Sequence, residues 1–221
     1  MIRVDALLRC DSSDDSPAAL HSSLRDLFIC IFAFGFLYGV AMGTYGGLSG
    51  ERLLQMLYSG LKVPLLLLAS FALSLPSFWV LNALLGLAAD FPRALRALLT
   101  AQAALTLVLV GLTPFTLFWY VSFSDYHIAI LFNAAMFAVA SFSAQMVLRR
   151  YYRPLIARQP RHRWLMRLWL VIYAFVGIQM GWILRPFLGD PGLPVQFFRT
   201  DSWGNAYVVV AKMAWQAVSQ H

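Results

Sequence analysis

Charge is what this sequence has least of. Asp, Glu, Lys and Arg make up 12% of its 221 residues, against 60% hydrophobic residues. Soluble domains carry roughly a quarter charged residues. A water-soluble domain of this length could not cover its surface with so few, and a disordered chain has far less apolar content. An ordinary soluble enzyme and a disordered tail are both excluded. Cysteine is nearly missing too. Cys10 and Cys30 are the only two, one in a polar stretch and one in an apolar run, so neither a disulfide framework nor a cysteine metal site is expected. Lysine is reduced to Lys62 and Lys212 beside fifteen arginines, which suits a GC-rich bacterial coding sequence. Neither lysine is placed for a buried Schiff base. There is no His-Glu-x-x-His, no Gly-x-Ser-x-Gly, no phosphate loop and no Cys-x-x-Cys. His21, His127, His162 and His221 offer no pair at membrane depth for a haem. No cofactor and no metal is expected.

What is present is uncharged length. Residues 27–50, 63–89, 97–124 and 126–148 carry no formal charge, and 168–184 is a shorter fifth stretch. A helix rises about 1.5 Å per residue and the hydrocarbon layer is about 30 Å thick, so about 20 apolar residues cross it. Backbone groups in lipid must pair internally, which makes each crossing a helix. The expected fold class is all-α, a polytopic membrane helical bundle with five transmembrane helices plus a C-terminal interfacial helix. The helices are placed near 27–47, 63–87, 98–121, 126–148 and 165–184. Residues 1–26 read as a polar cytoplasmic tail, 27–184 as the transmembrane domain, and 185–221 as an external loop and interfacial helix. That last helix, around 204–218, has too short an apolar run before Lys212 to span. Trp203, Tyr207 and Trp215 suit the water–lipid boundary.

The net charge of +7 is unevenly spread. Arg149, Arg150, Arg153, Arg158, Arg161, Arg163 and Arg167 fall between helices four and five with no acid among them. The positive-inside rule makes that loop cytoplasmic. Twelve Lys and Arg residues then lie inside and five outside, with the amino terminus inside and the carboxyl terminus outside. The expected location is a bacterial inner membrane. Nucleic-acid binding needs a basic face on a soluble module, so no nucleic-acid partner is expected. The bilayer itself is the first partner. The arginines serve as a topology signal, and Arg149, Arg150, Arg153, Arg158, Arg161 and Arg163 could also hold anionic lipid or an acidic partner.

Three further patterns carry weight. Gly35, Gly39 and Gly43 lie four apart on one face of the first helix, which lets another backbone approach closely, in the same chain or in a second subunit. Asn82, Gln102, Asn133 and Gln179 are amides at depth. They serve as glue between helices or as a polar pathway. Pro76 should kink the second helix, and Thr113-Pro114 lies near the end of the third. The acid/base candidates reduce to Asp90, Asp125 and His127; Asp125 and His127 alone do not make a catalytic site, and an intramembrane enzyme acting on lipids through these three residues is a third reading. The segment from Arg185 to Arg199 is stiff and apolar, and it reads as a lid on the bundle or as a docking surface.

The five-span layout of residues 27–184, the polar amino-terminal tail and the missing catalytic motifs resemble the Yip1-type family of small polytopic membrane proteins. The resemblance implies a non-enzymatic membrane scaffold. The expected function is therefore a non-catalytic scaffold or assembly subunit that packs with itself, as a homo-oligomer, or with other membrane proteins. A channel or transporter component for a small solute or ion is the alternative, resting on the prolines and amides.

Overall fold

Apolar length decides the architecture. Among the described residues five long helices stand out in the computed structural model: α1 (Pro17–Gly43), α2 (Arg52–Leu84), α3 (Phe91–Ser122), α4 (Tyr126–Arg158) and α5 (Arg161–Leu184), with one turn of 3-10 helix at Ala88–Asp90. All five are long and apolar enough to cross a membrane. The structure describes residues 17–47, 50, 52–123, 125–190, 193–199 and 207–208, with the backbone alone over 17–23. No strand occurs among the described residues. The first part of the expected polar tail, and the expected interfacial helix at 204–218 apart from Tyr207 and Val208, lie outside them.

The helices outrun the uncharged stretches. α1 starts at Pro17 rather than near 27, α2 at Arg52 rather than 63, and α4 continues to Arg158 rather than stopping at 148. Charge marks where a helix leaves hydrocarbon, not where its backbone stops. The buried stripe of α4 runs through Ala144, Leu148, Tyr152 and Leu155, past three arginines. Helical spacing is therefore kept where the charge begins. Only Gln159 and Pro160 separate α4 from α5. The expected basic loop is in fact a helical hairpin.

The helix ends have local causes. After α1 the chain turns through Gly46 (φ 88°) and Gly47 (φ 116°), backbone that side chains rarely adopt. Asp125 caps α4 by accepting a 3.0 Å hydrogen bond from the Ile128 backbone N–H. α2 continues unbroken through Pro64 and Pro76.

α1 is the central helix, packed along both α2 and α3. α4 leans on α3 and α5 on α2, while α4 and α5 touch little beyond their shared turn. The glycine row makes the α1–α2 contact. A Cβ on Gly39 would stand 2.3 Å from the Ser59 carbonyl oxygen, and one on Gly43 would stand 2.5 Å from the Met56 Cα. At Gly35 the nearest atoms, all of Pro64, lie at 3.4 Å. All three glycines thus face α2 of the same chain, and the face also open to a second subunit is occupied. Gly60 completes the seam, its missing Cβ leaving room for Phe36 and Val40 at 2.9 Å.

This contact gives a direct test. Gly39→Ala places a methyl against backbone that cannot move aside, and overpacking of this kind costs about 1–3 kcal/mol. Gly181→Ala, with nothing within 4 Å of the new carbon, is the matched control. Heating in mild detergent followed by size-exclusion chromatography should show a lower midpoint for Gly39→Ala and none for Gly181→Ala.

Candidate functional site

The polar residues gather at the two ends of the bundle, and the end holding the start of α2 is the more elaborate. Arg52, Gln55, Ser59 and Lys62 recur at helical spacing on one face of α2. The non-helical segment after α5 lies along this face in the opposite sense. The Lys62 ammonium donates to the Pro186 carbonyl at 2.6 Å. Ser59 Oγ and Gln55 Nε2 donate to the Phe187 carbonyl. Arg52 donates to the Gly189 and Asp190 carbonyls, each at 3.3 Å. From α4, Tyr126 donates to the Leu188 carbonyl at 3.3 Å. Every carbonyl from Pro186 to Asp190 thus has a side-chain donor. Irregular backbone beside lipid survives only when its polar groups are met by protein, and this collar meets them.

Lys62 is completely buried. Beyond the Pro186 carbonyl it lies 4.9 Å from the centre of the Phe197 ring, which Tyr58 also packs against. No carboxylate pairs with it among the described residues. The sequence expectation starts the second helix at 63 and leaves Lys62 outside it, so its burial was not foreseen. The periodicity of Arg52, Gln55, Ser59 and Lys62 is the signal that could have found it.

Beneath the collar, Tyr38 donates to Asn133 Oδ1 at 3.3 Å, and Asn133 Nδ2 donates to the Tyr120 hydroxyl at 2.6 Å. This buried chain ties α1, α3 and α4. The Tyr45 phenol in the turn after α1 is kept neutral. Burial pushes its pKa up, and Asp125, Tyr126 and Asp190 act in the same direction. Gln102 ties α3 to α5 through the Tyr173 hydroxyl at 2.8 Å. Asn82 turns back to the Phe78 carbonyl of its own helix at 2.8 Å, and Gln179 lies half-buried near the end of α5. Asn82 and Asn133 stand at opposite ends of the bundle by helix order. Gln102 and Asn133 are thus ties between helices, and the amides do not form one line.

Between the collar and α4 lies a groove of about 510 Å³. Met42, Leu66, Ile130, Ala134 and Phe137 form its apolar walls, and Tyr126, His127, Arg185 and Arg199 stand around its mouth. A smaller cavity of about 290 Å³ lies across Pro186, lined by Gln55, Asp190 and Arg199 among others.

The opposite end carries the hairpin of α4 and α5. Arg149, Arg150, Arg153, Arg158, Arg161, Arg163 and Arg167 are all exposed on it. Beneath them His162 is fully buried, with Nε2 3.2 Å from Asp90 Oδ2. Arg93 reaches the other oxygen of Asp90 at 3.3 Å. Asp90 and Asp125 therefore have structural tasks, one holding His162 and one capping α4. Burial of His162 follows from its place in the stripe His162, Leu165, Met166, Trp169 of α5. Treating the stretch as a loop hid that periodicity.

No protein family, no curated protein and no solved structure matches the chain. Among the described residues no group of three His, Cys, Asp or Glu side chains could hold a metal.

The collar is testable through its buried cation. Lys62→Met keeps the length and removes the donor, and losing a hydrogen bond from a charged group costs about 1.5–3 kcal/mol. Backbone amides at 187–190 should then exchange with deuterium faster, while those in the middle of α3 keep their rate. An unchanged rate at 187–190 would show that Lys62 does not hold the segment down.

Proposed function

We propose that this chain is a non-catalytic polytopic membrane scaffold that meets its partners through the α4–α5 hairpin. The single observation that carries the reading is the hairpin itself. Seven arginines stand exposed on two helices joined by a two-residue turn, with no acid between Arg149 and Arg167. A flexible basic loop would be enough to set orientation. A rigid helical post holds the charges at fixed spacing, which suits binding an anionic surface or an acidic partner. The likeness of the layout to the Yip1-type family supports the same reading. In this proposal the hairpin faces the cytoplasm of a bacterial inner membrane, an orientation that the arginine excess supports. The collar end then faces outward. The lipid-facing sides of α4 and α5, which make few contacts with each other, are open to other membrane subunits or to a second copy. A solute pathway has less support, because Asn82 and Asn133 stand at opposite ends of the bundle and Gln102 and Asn133 are taken up in ties between helices.

Two measurements test this. With Gln159→Cys, a membrane-impermeant maleimide should label the hairpin only after the cytoplasmic face is opened. Labelling from the outside of intact cells would reverse the orientation. Photo-crosslinking from position 157 should give discrete adducts of higher mass. Arg149→Gln with Arg150→Gln and Arg153→Gln should weaken them severalfold, each arginine near an anionic surface contributing about 1 kcal/mol. A lone monomer with no adduct from any hairpin position would sink the scaffold reading.

A further inference from the structure

We propose that the groove between the collar and α4 binds one anionic phospholipid of the surrounding leaflet, with its head group at Arg185 and Arg199. In a membrane bundle, exposed apolar side chains mean little, since every lipid-facing residue is exposed. What sets this groove apart is its shape and its gradient of polarity. His127, Ile130, Ala134 and Phe137 follow one another along one face of α4. At about 1.5 Å per residue these positions span about 15 Å, a long and narrow form that suits an acyl chain better than a compact solute. Ile130 and Ala134 are exposed, so the groove opens sideways and a chain can enter without crossing the collar.

The polarity runs in the direction of the leaflet. Arg185, Arg199 and His127 line the groove toward the collar and Phe137 lines it deeper along α4, while Asn133 between them is taken up by Tyr38 and Tyr120. A phospholipid has the same order from head group to tail. Among the described residues no acidic side chain lines the groove. Lys62 adds positive charge close by, its ammonium bonded to the carbonyl of Pro186, which lines the groove. Arginine binds phosphate through parallel N–H donors, so two guanidinium groups at one mouth favour a phosphate that keeps its net negative charge. A zwitterionic lipid brings its own cation to the same place and gains less. The volume, about 510 Å³, lies within the range of about 300–1,000 Å³ usual for small-ligand sites.

The test uses the full chain reconstituted in vesicles of equimolar phosphatidylcholine and phosphatidylglycerol, then released into mild detergent for native mass measurement. The wild-type chain should keep one phosphatidylglycerol. Arg185→Gln with Arg199→Gln should lower that preference about tenfold while phosphatidylcholine is kept equally. Ala134→Trp fills the apolar wall and should remove the bound lipid of either kind. Arg96→Gln, at the opposite end of the bundle, should leave it in place, which separates this site from a general attraction to positive charge. Equal retention by all three variants would mean lipid bound at no particular place and would overturn the proposal. So would loss confined to the Arg96→Gln variant. Binding that appears only after residues 209–221 are removed would assign the groove to the chain's own end and overturn it as well.

Discussion

The approach of α1 to α2 at Gly39 is the contact on which the other helices hang. In water, apolar faces are driven together; in lipid they are not, because the acyl chains are as apolar as the side chains. Helices there must gain from close packing and from hydrogen bonds between them. A carbonyl that would lie 2.3 Å from a Cβ on Gly39 marks two backbones nearly in touch. α3 packs on the other side of α1, α4 leans on α3, and α5 leans on α2. Widening the first seam would shift every helix outward from it.

That seam also fixes the upper part of α2, and so the row that holds the collar. The row and the collar meet as two regular spacings, side chains three and four residues apart on one side and consecutive carbonyls on the other. The aromatic and amide tie of Tyr38, Asn133 and Tyr120 lies just below and keeps α4 at its distance. Together they leave a groove with cations at its mouth. Its position is a result of the packing around it and needs no residue set aside for it alone.

The number and nature of the elements were legible in the uncharged stretches, since the thickness of the hydrocarbon layer imposes a length on any span. The ends were not. Arg149, Arg150 and Arg153 signal the edge of the membrane, and that signal overrode the stripe Ala144, Leu148, Tyr152, Leu155, which runs on beneath them. For the same reason His162 was placed in a loop, and the buried pair with Asp90 was missed. The glycine row was legible as a packing face, but which helix fills it depends on topology, not on spacing. The groove was illegible. Its lining comes from α1, α2, α4 and the collar, and residues as far apart as Met42 and Arg199 share it. Nothing local in the sequence joins them.

The collar is held by its carbonyls, and a carbonyl is common to all amino acids. Side chains from Pro186 to Asp190 can therefore change with little loss of the hydrogen bonds that seat the segment. Gly189 is the exception, because a Cβ there would meet Gln55 Cγ at 2.8 Å and Arg52 Nη1 at 2.9 Å. The donors have no such freedom. Each needs its own reach and its own number of hydrogens, so Arg52, Gln55, Ser59 and Lys62 cannot trade places. Variation in this protein should be lopsided, with the ribbon drifting and the helix face that grips it held still.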